Sequence, residues 1–314
     1  MRIIRIILDR ATLWRCIISL LVSHLGLEMQ PAAPFTEIRY ERPSERVARI
    51  VLARADKRNA QNMQMLYEIN SALDRATQDD QVRVIIVAAE GPHFSSGHDL
   101  NDLASQVGDC GAPVTGRGGF TLPGSEGYFS REEEIYLGFC WRWRNLPKPT
   151  IVQVQGKAIA GGLMLIWPFD ILIASEDAEF SDPVVAFGSN GHEFFVHAWE
   201  VGHRKAKEML FTGEPITAQE GKELGMVNHV VPRDQLETFT LALADKIAQR
   251  PSIGLKFAKL SVNQSLDALG MWTAIQSAFS LHHLAHAHNS VVHGQIFDPA
   301  GVDLIRNQAR KKPG

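Results

Sequence analysis

The chain has 314 residues, a formal charge of −3 and 45% hydrophobic residues, a composition that supplies a sizeable globular core. So small a negative charge gives no electrostatic basis for binding nucleic acid or an anionic membrane. The three cysteines, Cys16, Cys110 and Cys140, are scattered, odd in number and without zinc-ligand spacing, which argues against a disulfide framework and for a reduced, cytoplasmic setting.

Residues 1–28 carry Arg2, Arg5, Arg10 and Arg15 among apolar positions. The run Ile17–Leu27 that follows contains His24 and is too short to span a bilayer. Met29 precedes the segment Q-P-A-A-P, so residues 1–34 read as an N-terminal extension outside the mature fold, with Met29 a candidate start.

Val47–Ala53 reads as a strand and Ala55–Asn62 as the polar loop after it. Met65, Leu66, Ile69, Ala72, Leu73 and Ala76 then fall at helical spacing. Val82–Ala88 is a near-continuous apolar strand of the kind buried on both faces. The loop Gly91–Asp99 follows, and then Asn101–Arg131, glycine-rich and aperiodic, which reads as a lid or a partly mobile segment. Glu132–Asn145 reads as a helix that stops before Pro147 and Pro149.

Thr150–Val154 reads as a strand leading into the glycine-rich turn V-Q-G-K-A-I-A-G-G and a buried helix from Leu163. At such a junction the first helical N–H groups lack internal partners, and Gly161 and Gly162 let a ligand oxygen approach them. Phe169–Ala174 is a further strand, Ala198–Leu210 a helix, and Thr217–Leu224 a helix with Thr217 as N-cap and Glu220 completing a capping box. Asn228–Val231 is a short strand. Leu236, Phe239, Leu243 and Ile247 mark a helix, and Ser252 caps the next, with Leu255, Ala258, Val262 and Leu266 on its inner face. From Gly270 the chain reads as helical to about Val292, then as a polar tail. The expected architecture is an α/β core over 35–232 with a helical C-terminal region over 233–314.

Six stretches, in order and with compatible spacing, carry a resemblance. They are K-R-N-A at 57–60, F-S-S-G-H-D-L at 94–100, V-Q-G-K-A-I-A-G-G at 154–162, F-D-I-L-I-A-S-E-D-A-E-F at 169–180, L-F-T-G at 210–213 and A-Q-E-G-K-E-L-G-M-V-N-H-V-V-P at 218–232. Together they resemble the crotonase, or enoyl-CoA hydratase/isomerase, superfamily over roughly residues 36–270. The resemblance implies a spiral of β-β-α repeats, a C-terminal helical region used in trimerisation, a homotrimer or hexamer, and a CoA thioester as substrate with no separate cofactor.

By the same resemblance, the backbone N–H groups of His98 and Gly161 form an oxyanion hole for the thioester carbonyl. Two preorganised donors of this kind stabilise an enolate by several kcal/mol. The loop at Lys57, Arg58 and Ala60 is expected to meet the adenine end of CoA, and Ser96, Gly97, His98, Asp99 and Leu100 to line the CoA path. Asp99 and Asp170 are expected to accept hydrogen bonds from loop or helix N–H groups.

The chain departs from the family where hydratases hold water with two glutamates. Those positions are Met164 and Val184, and neither side chain exchanges protons at neutral pH. Glu193 is the leading replacement, expected to have a pKa raised by an apolar pocket. His192, with its near-neutral ordinary pKa, and Asp182 are the alternatives. Hydration, double-bond isomerisation and thioester hydrolysis stay open, as does a non-catalytic acyl-CoA binding protein.

His282, His283, His286, His288 and His293 cluster near the C-terminus, and His282 and His286 have the i, i+4 spacing that suits a metal. No acid completes an H-E-x-x-H pattern, so no metal site is expected, and the cluster reads as an interface or pocket feature. The G-R-G-G at 116–119 follows no strand and is not a phosphate loop; Trp141, Trp143 and Trp167 read as core or pocket wall.

Overall fold

Val84–Ala89 buries nearly every residue, and this explains its unbroken apolar run, because both faces of the strand are covered. In a computed structural model, the described residues are 34–100, 115 and 118–310. Contacts divide the chain into residues 1–34 and 35–314. The readings of residues 1–33, of Cys16 and Cys110, of 101–114, of the first half of G-R-G-G and of the last four residues of the tail lie outside the described residues.

Strands β1 (Ile38–Ser44) and β2 (Val47–Leu52) form an antiparallel pair. Helix α1 (Met63–Gln78) is capped by Asn62, whose side chain accepts from Met65 N, and leads to β3 (Val84–Ala89). Helices α2 (Gly124–Glu132) and α3 (Phe139–Arg144) are joined through a π-helical segment, Glu133–Gly138. The helix thus begins before Glu132, and residues 124–131, read from sequence as part of an aperiodic lid, are helical. Then come β4 (Thr150–Val154), β5 (Lys157–Ile159), the single turn α4 (Gly161–Met164), β6 (Ile171–Ser175) and β7 (Glu179–Ser181).

The expected helix over Ala198–Leu210 is two, α5 (His197–Val201) and α6 (His203–Thr212), because Gly202 between them sits at φ 77°. Next are β8 (Ile216–Thr217), α7 (Ala218–Leu224) and β9 (His229–Val231). Thr217 caps α7 by accepting from Glu220 N, while the Glu220 carboxylate pairs with Lys205. The chain closes with α8 (Leu236–Ala248), α9 (Ser252–Ala268), α10 (Met271–His293) and α11 (Ala300–Arg310). The last of these replaces the expected polar tail. Ser252 does not cap α9: no side chain does, and Pro251 holds the cap position.

The main sheet has the order β1-β2-β3-β4-β6-β9, parallel from β2 onward, and a second sheet has the order β5-β7-β8. The first four strands all join the main sheet; from β4 to β7 successive strands go alternately to the two sheets, as a β-β-α spiral requires. Met65, Leu66, Ile69 and Leu73 of α1 belong to the larger core cluster with Ile50, Ile85, Val87 and Val152. Leu236, Ala244 and Ala248 of α8 join Val51, Val84, Ile86, Ile151 and Ile173 in a second cluster. On α9 only Asn263 is buried; Ala258 and Val262, expected to face inward, are exposed, as are Ile253, Phe257 and Leu260. Among the described residues, no helix is long and apolar enough to cross a membrane.

Candidate active site

Two turns lie against each other at the floor of the cavity. Phe94 N and Ser95 N donate to Lys157 O, and Ile159 N donates to Ser95 O, so the loop after β3 is tied along β5. Ser95 Oγ donates to Asn59 O and accepts from Gly97 N. Gly97 has φ +93°, and a Cβ there would lie 2.8 Å from Ile159 O. A Cβ on Gly161 would lie 2.5 Å from His98 Cε1. Both positions need glycine because another backbone or ring occupies the space.

Ala160, just before Gly161, holds φ 49° and ψ −115°, a conformation that L residues rarely adopt. Among the described residues no acceptor takes the N–H of His98 or of Gly161, although Gln61 N, Asp99 N and Ala160 N beside them are all bonded. The Gly161 carbonyl accepts from Gln61 Nε2 at 2.6 Å.

The cavity above these turns is lined by His98, Gly161, Val184, Glu193, His282 and His286, among others. Glu193 Oε2 lies 3.2 Å from His98 Nε2, and the His98 ring stacks on Tyr136 with centroids 4.1 Å apart. Burial resists protonation of His98, but the neighbouring Glu193 carboxylate outweighs it and raises the ring's pKa. Burial likewise disfavours the Glu193 carboxylate, yet His98 and His282 hold its pKa well below the usual value. This reverses the expectation of a raised Glu193 pKa. The cavity is lined largely by apolar side chains, but the groups that face the Glu193 carboxylate are the imidazoles of His98 and His282.

The two alternative proton carriers are committed elsewhere. Asp182 Oδ2 accepts from His197 Nε2 at 2.8 Å and from His192 N at 2.9 Å, and its pKa is lowered to about 2 because these bonds and charges outweigh burial. Burial, with His197 beside it, lowers His192 to about 3. It is a neutral ring at ordinary pH and no longer the near-neutral switch the sequence suggested.

Of the two positions read from the sequence as standing for the hydratase glutamates, Val184 lines the cavity, whereas Met164 is buried in the main core. The last residue of α2, Glu132, and Tyr136 of the π-helical segment line the same cavity. Two groups of titratable residues have donor atoms within 4.8 Å of one another: Glu132 with His282 and His286, and Asp182 with His192 and His197.

The model of the enoyl-CoA hydratase/isomerase family matches residues 42–112 and 133–296. The chain belongs to that family. The Mycobacterium tuberculosis protein named "Putative enoyl-CoA hydratase EchA13" is 44% identical over 266 residues, covering 83% of this chain and 84% of the relative. The mouse "Enoyl-CoA hydratase domain-containing protein 3, mitochondrial" is 34% identical over 250 residues, covering 79% of this chain and 72% of its own. Among solved structures, a "probable enoyl-CoA hydratase" from Mycobacterium thermoresistibile has a TM-score of 0.76 at 45% identity, covering 83% of this chain and 99% of its own.

Against the family pattern, Lys57 and Arg58 are exposed on the loop before α1. Arg58 and Asn59 both take left-handed backbone angles, and Arg58 O accepts from Ser96 N. Ala60 O accepts from Arg54 Nη1. Ser96 and Leu100 line the cavity with His98. Asp99 pairs with the Arg54 guanidinium at 3.1 Å. Asp170 does take an N–H, from Thr150 at 2.8 Å, and a Lys259 ion pair at 2.9 Å. Trp143 is core, while Trp167 packs edge-on against His197. Gln61, Glu132 and Tyr136 carry no motif that sequence reading could have used.

Proposed function

We propose that the chain moves protons on the acyl carbons of a CoA thioester through an enolate. The N–H groups of His98 and Gly161 hold the enolate oxygen, and Glu193 carries the proton. One observation supports this above others. The ionised Glu193 carboxylate opens into the same cavity as the two unpaired N–H groups. An ionised carboxylate is a base from the start of the cycle. It takes a proton from the carbon next to the thioester, and the oxyanion hole accepts the charge as it moves onto oxygen.

One carboxylate that removes a proton at one carbon and returns it at another suffices for double-bond migration. We therefore place isomerisation of an enoyl-CoA first. Hydration is second, since Val184 and Met164 provide no water-holding carboxylates. Lys57, Arg58 and Ala60 are read as the adenine-end contact. The exposed Ile253, Phe257 and Leu260 of α9 support self-assembly, with a homotrimer as the expected unit. The cysteine pattern supports a cytoplasmic location.

The test is Glu193→Gln, assayed with 2-enoyl- and 3-enoyl-CoA substrates and by exchange of the α-proton in D2O. Turnover and exchange should fall by about 10²–10⁴-fold with acyl-CoA binding retained. Unchanged turnover would remove Glu193 from the mechanism. Binding of thioesters by the wild type with no turnover or exchange would make this a binding protein.

A further inference from the structure

We propose that Glu132, His282 and His286 bind a divalent transition-metal ion beside the acyl cavity. His282 Nδ1 lies 2.9 Å from Gly191 O, and His286 Nδ1 lies 2.9 Å from Ile296 O. A carbonyl oxygen only accepts, so each Nδ1 carries a hydrogen, and in the metal-binding state each ring, stripped of any second proton, presents its lone pair at Nε2. Both Nε2 atoms face one carboxylate oxygen, Glu132 Oε2, at 3.9 Å from His282 and 3.4 Å from His286.

Three acceptors thus converge on one point, and this is costly unless something positive lies between them. Glu132 Oε2 and His282 Nε2 are buried and have no hydrogen-bond partner among the described residues. A proton on His286 satisfies the Glu132 oxygen but leaves His282 Nε2 unmatched. A metal ion satisfies all three. Ligand atoms ~2.1 Å from a zinc-sized ion at near-tetrahedral angles lie ~3.4 Å apart, and a wider angle opens this to ~3.9 Å. The carbonyls behind each Nδ1 are the outer partners that metal-bound imidazoles ordinarily have. Two imidazoles and one carboxylate favour zinc or a neighbouring transition metal over magnesium or calcium.

The other cluster is different. Asp182 Oδ2 is already satisfied by the His197 and His192 donors, so no vacancy of charge remains there. Around Glu132, His283 Nε2 is 3.2 Å from the same oxygen without a hydrogen bond to it, and Glu193 Oε1 is 3.5 Å from His282 Nε2. Glu132, His282 and His286 all line the cavity that holds His98 and Gly161. The proposed ion would therefore sit at the wall of the acyl cavity.

The full-length chain, stripped with a chelator and desalted, is titrated with Co²⁺, and bound metal is counted by mass spectrometry alongside the visible absorption of the cobalt form. One ion per chain with ligand-field bands is expected. His282→Gln and His286→Gln should each weaken binding by at least about tenfold, while His197→Gln leaves it unchanged. Circular dichroism checks that each variant is folded, and the wild-type stoichiometry decides even where a variant is not. Absence of bound cobalt in the wild type overturns the site. So does binding that survives both substitutions, or that is lost only in His197→Gln. Metal content is measured without substrate, so it fails or holds independently of the enolate reading.

Discussion

Gln61 Nε2 donates to the carbonyl oxygen of Gly161 at 2.6 Å, while the Gln61 main chain pairs with both neighbours of His98, its N–H to Gly97 O and its carbonyl to Asp99 N. One buried residue therefore fixes the spacing of the two turns whose N–H groups are proposed to hold the enolate. Gln61→Ala frees the Gly161 peptide to rotate. The expected result is a fall in kcat of about tenfold to a hundredfold with KM little changed. Steady-state kinetics on an enoyl-CoA check this; a change confined to KM would show that Gln61 serves binding alone.

Ala160 is held where glycine is preferred. Ala160→Gly removes that steric strain at some cost in chain entropy, and should raise stability by about 0.5–1 kcal/mol. Urea denaturation of the two proteins side by side measures it. A lower midpoint for the variant would show that the methyl group contributes packing worth more than the strain.

Val184 and Met164, read from the sequence as the glutamate positions of hydratases, should tolerate a carboxylate very differently. Val184 is half-buried on the cavity wall, whereas Met164 is 1% exposed within the core. Val184→Glu is expected to cost less than about 1 kcal/mol. Met164→Glu, which strands a charge in the apolar core, should cost several kcal/mol. Equal melting temperatures for the two variants would contradict the placement of Met164.

His192 gives an acid-side signature. Burial holds its folded pKa near 3, against about 6.5 in the unfolded chain. Below pH 6.5 the unfolded state therefore binds a proton that the folded state does not, so stability is complete above that pH and declines as pH falls towards 3. Phe at this position keeps a ring against Trp167, whose centroid is 5.1 Å away, and removes the titration. Between pH 7 and 5 the wild type should lose about 2 kcal/mol more than His192→Phe. Parallel stability curves for the two would show that His192 charges freely.

Much of this was legible in the sequence. The near-continuous apolar run at β3 marks a strand covered on both faces, and the glycine pairs mark where backbones meet closely. Thr217 marks a helix start. The misreadings have local causes. Residues 124–131 are helical although glycines and polar residues hide the period, and Gly202 splits a helix whose period continues through it. Hydropathy also turned Val262 and Ala258 of α9 inward, though within this single chain they face outward.

By itself, the sequence determined the family and the order of strands and turns, because these are carried by short motifs whose backbone requirements are local. Tertiary structure alone decided the electrostatics of the cavity. The Glu193 pKa is lowered and not raised because His98 and His282 arrive from distant segments, and a pKa follows from whatever charges surround a group in space. For the same reason the histidines of α10 lacked an acid in sequence and gained Glu132 only when the end of α2 packed against them.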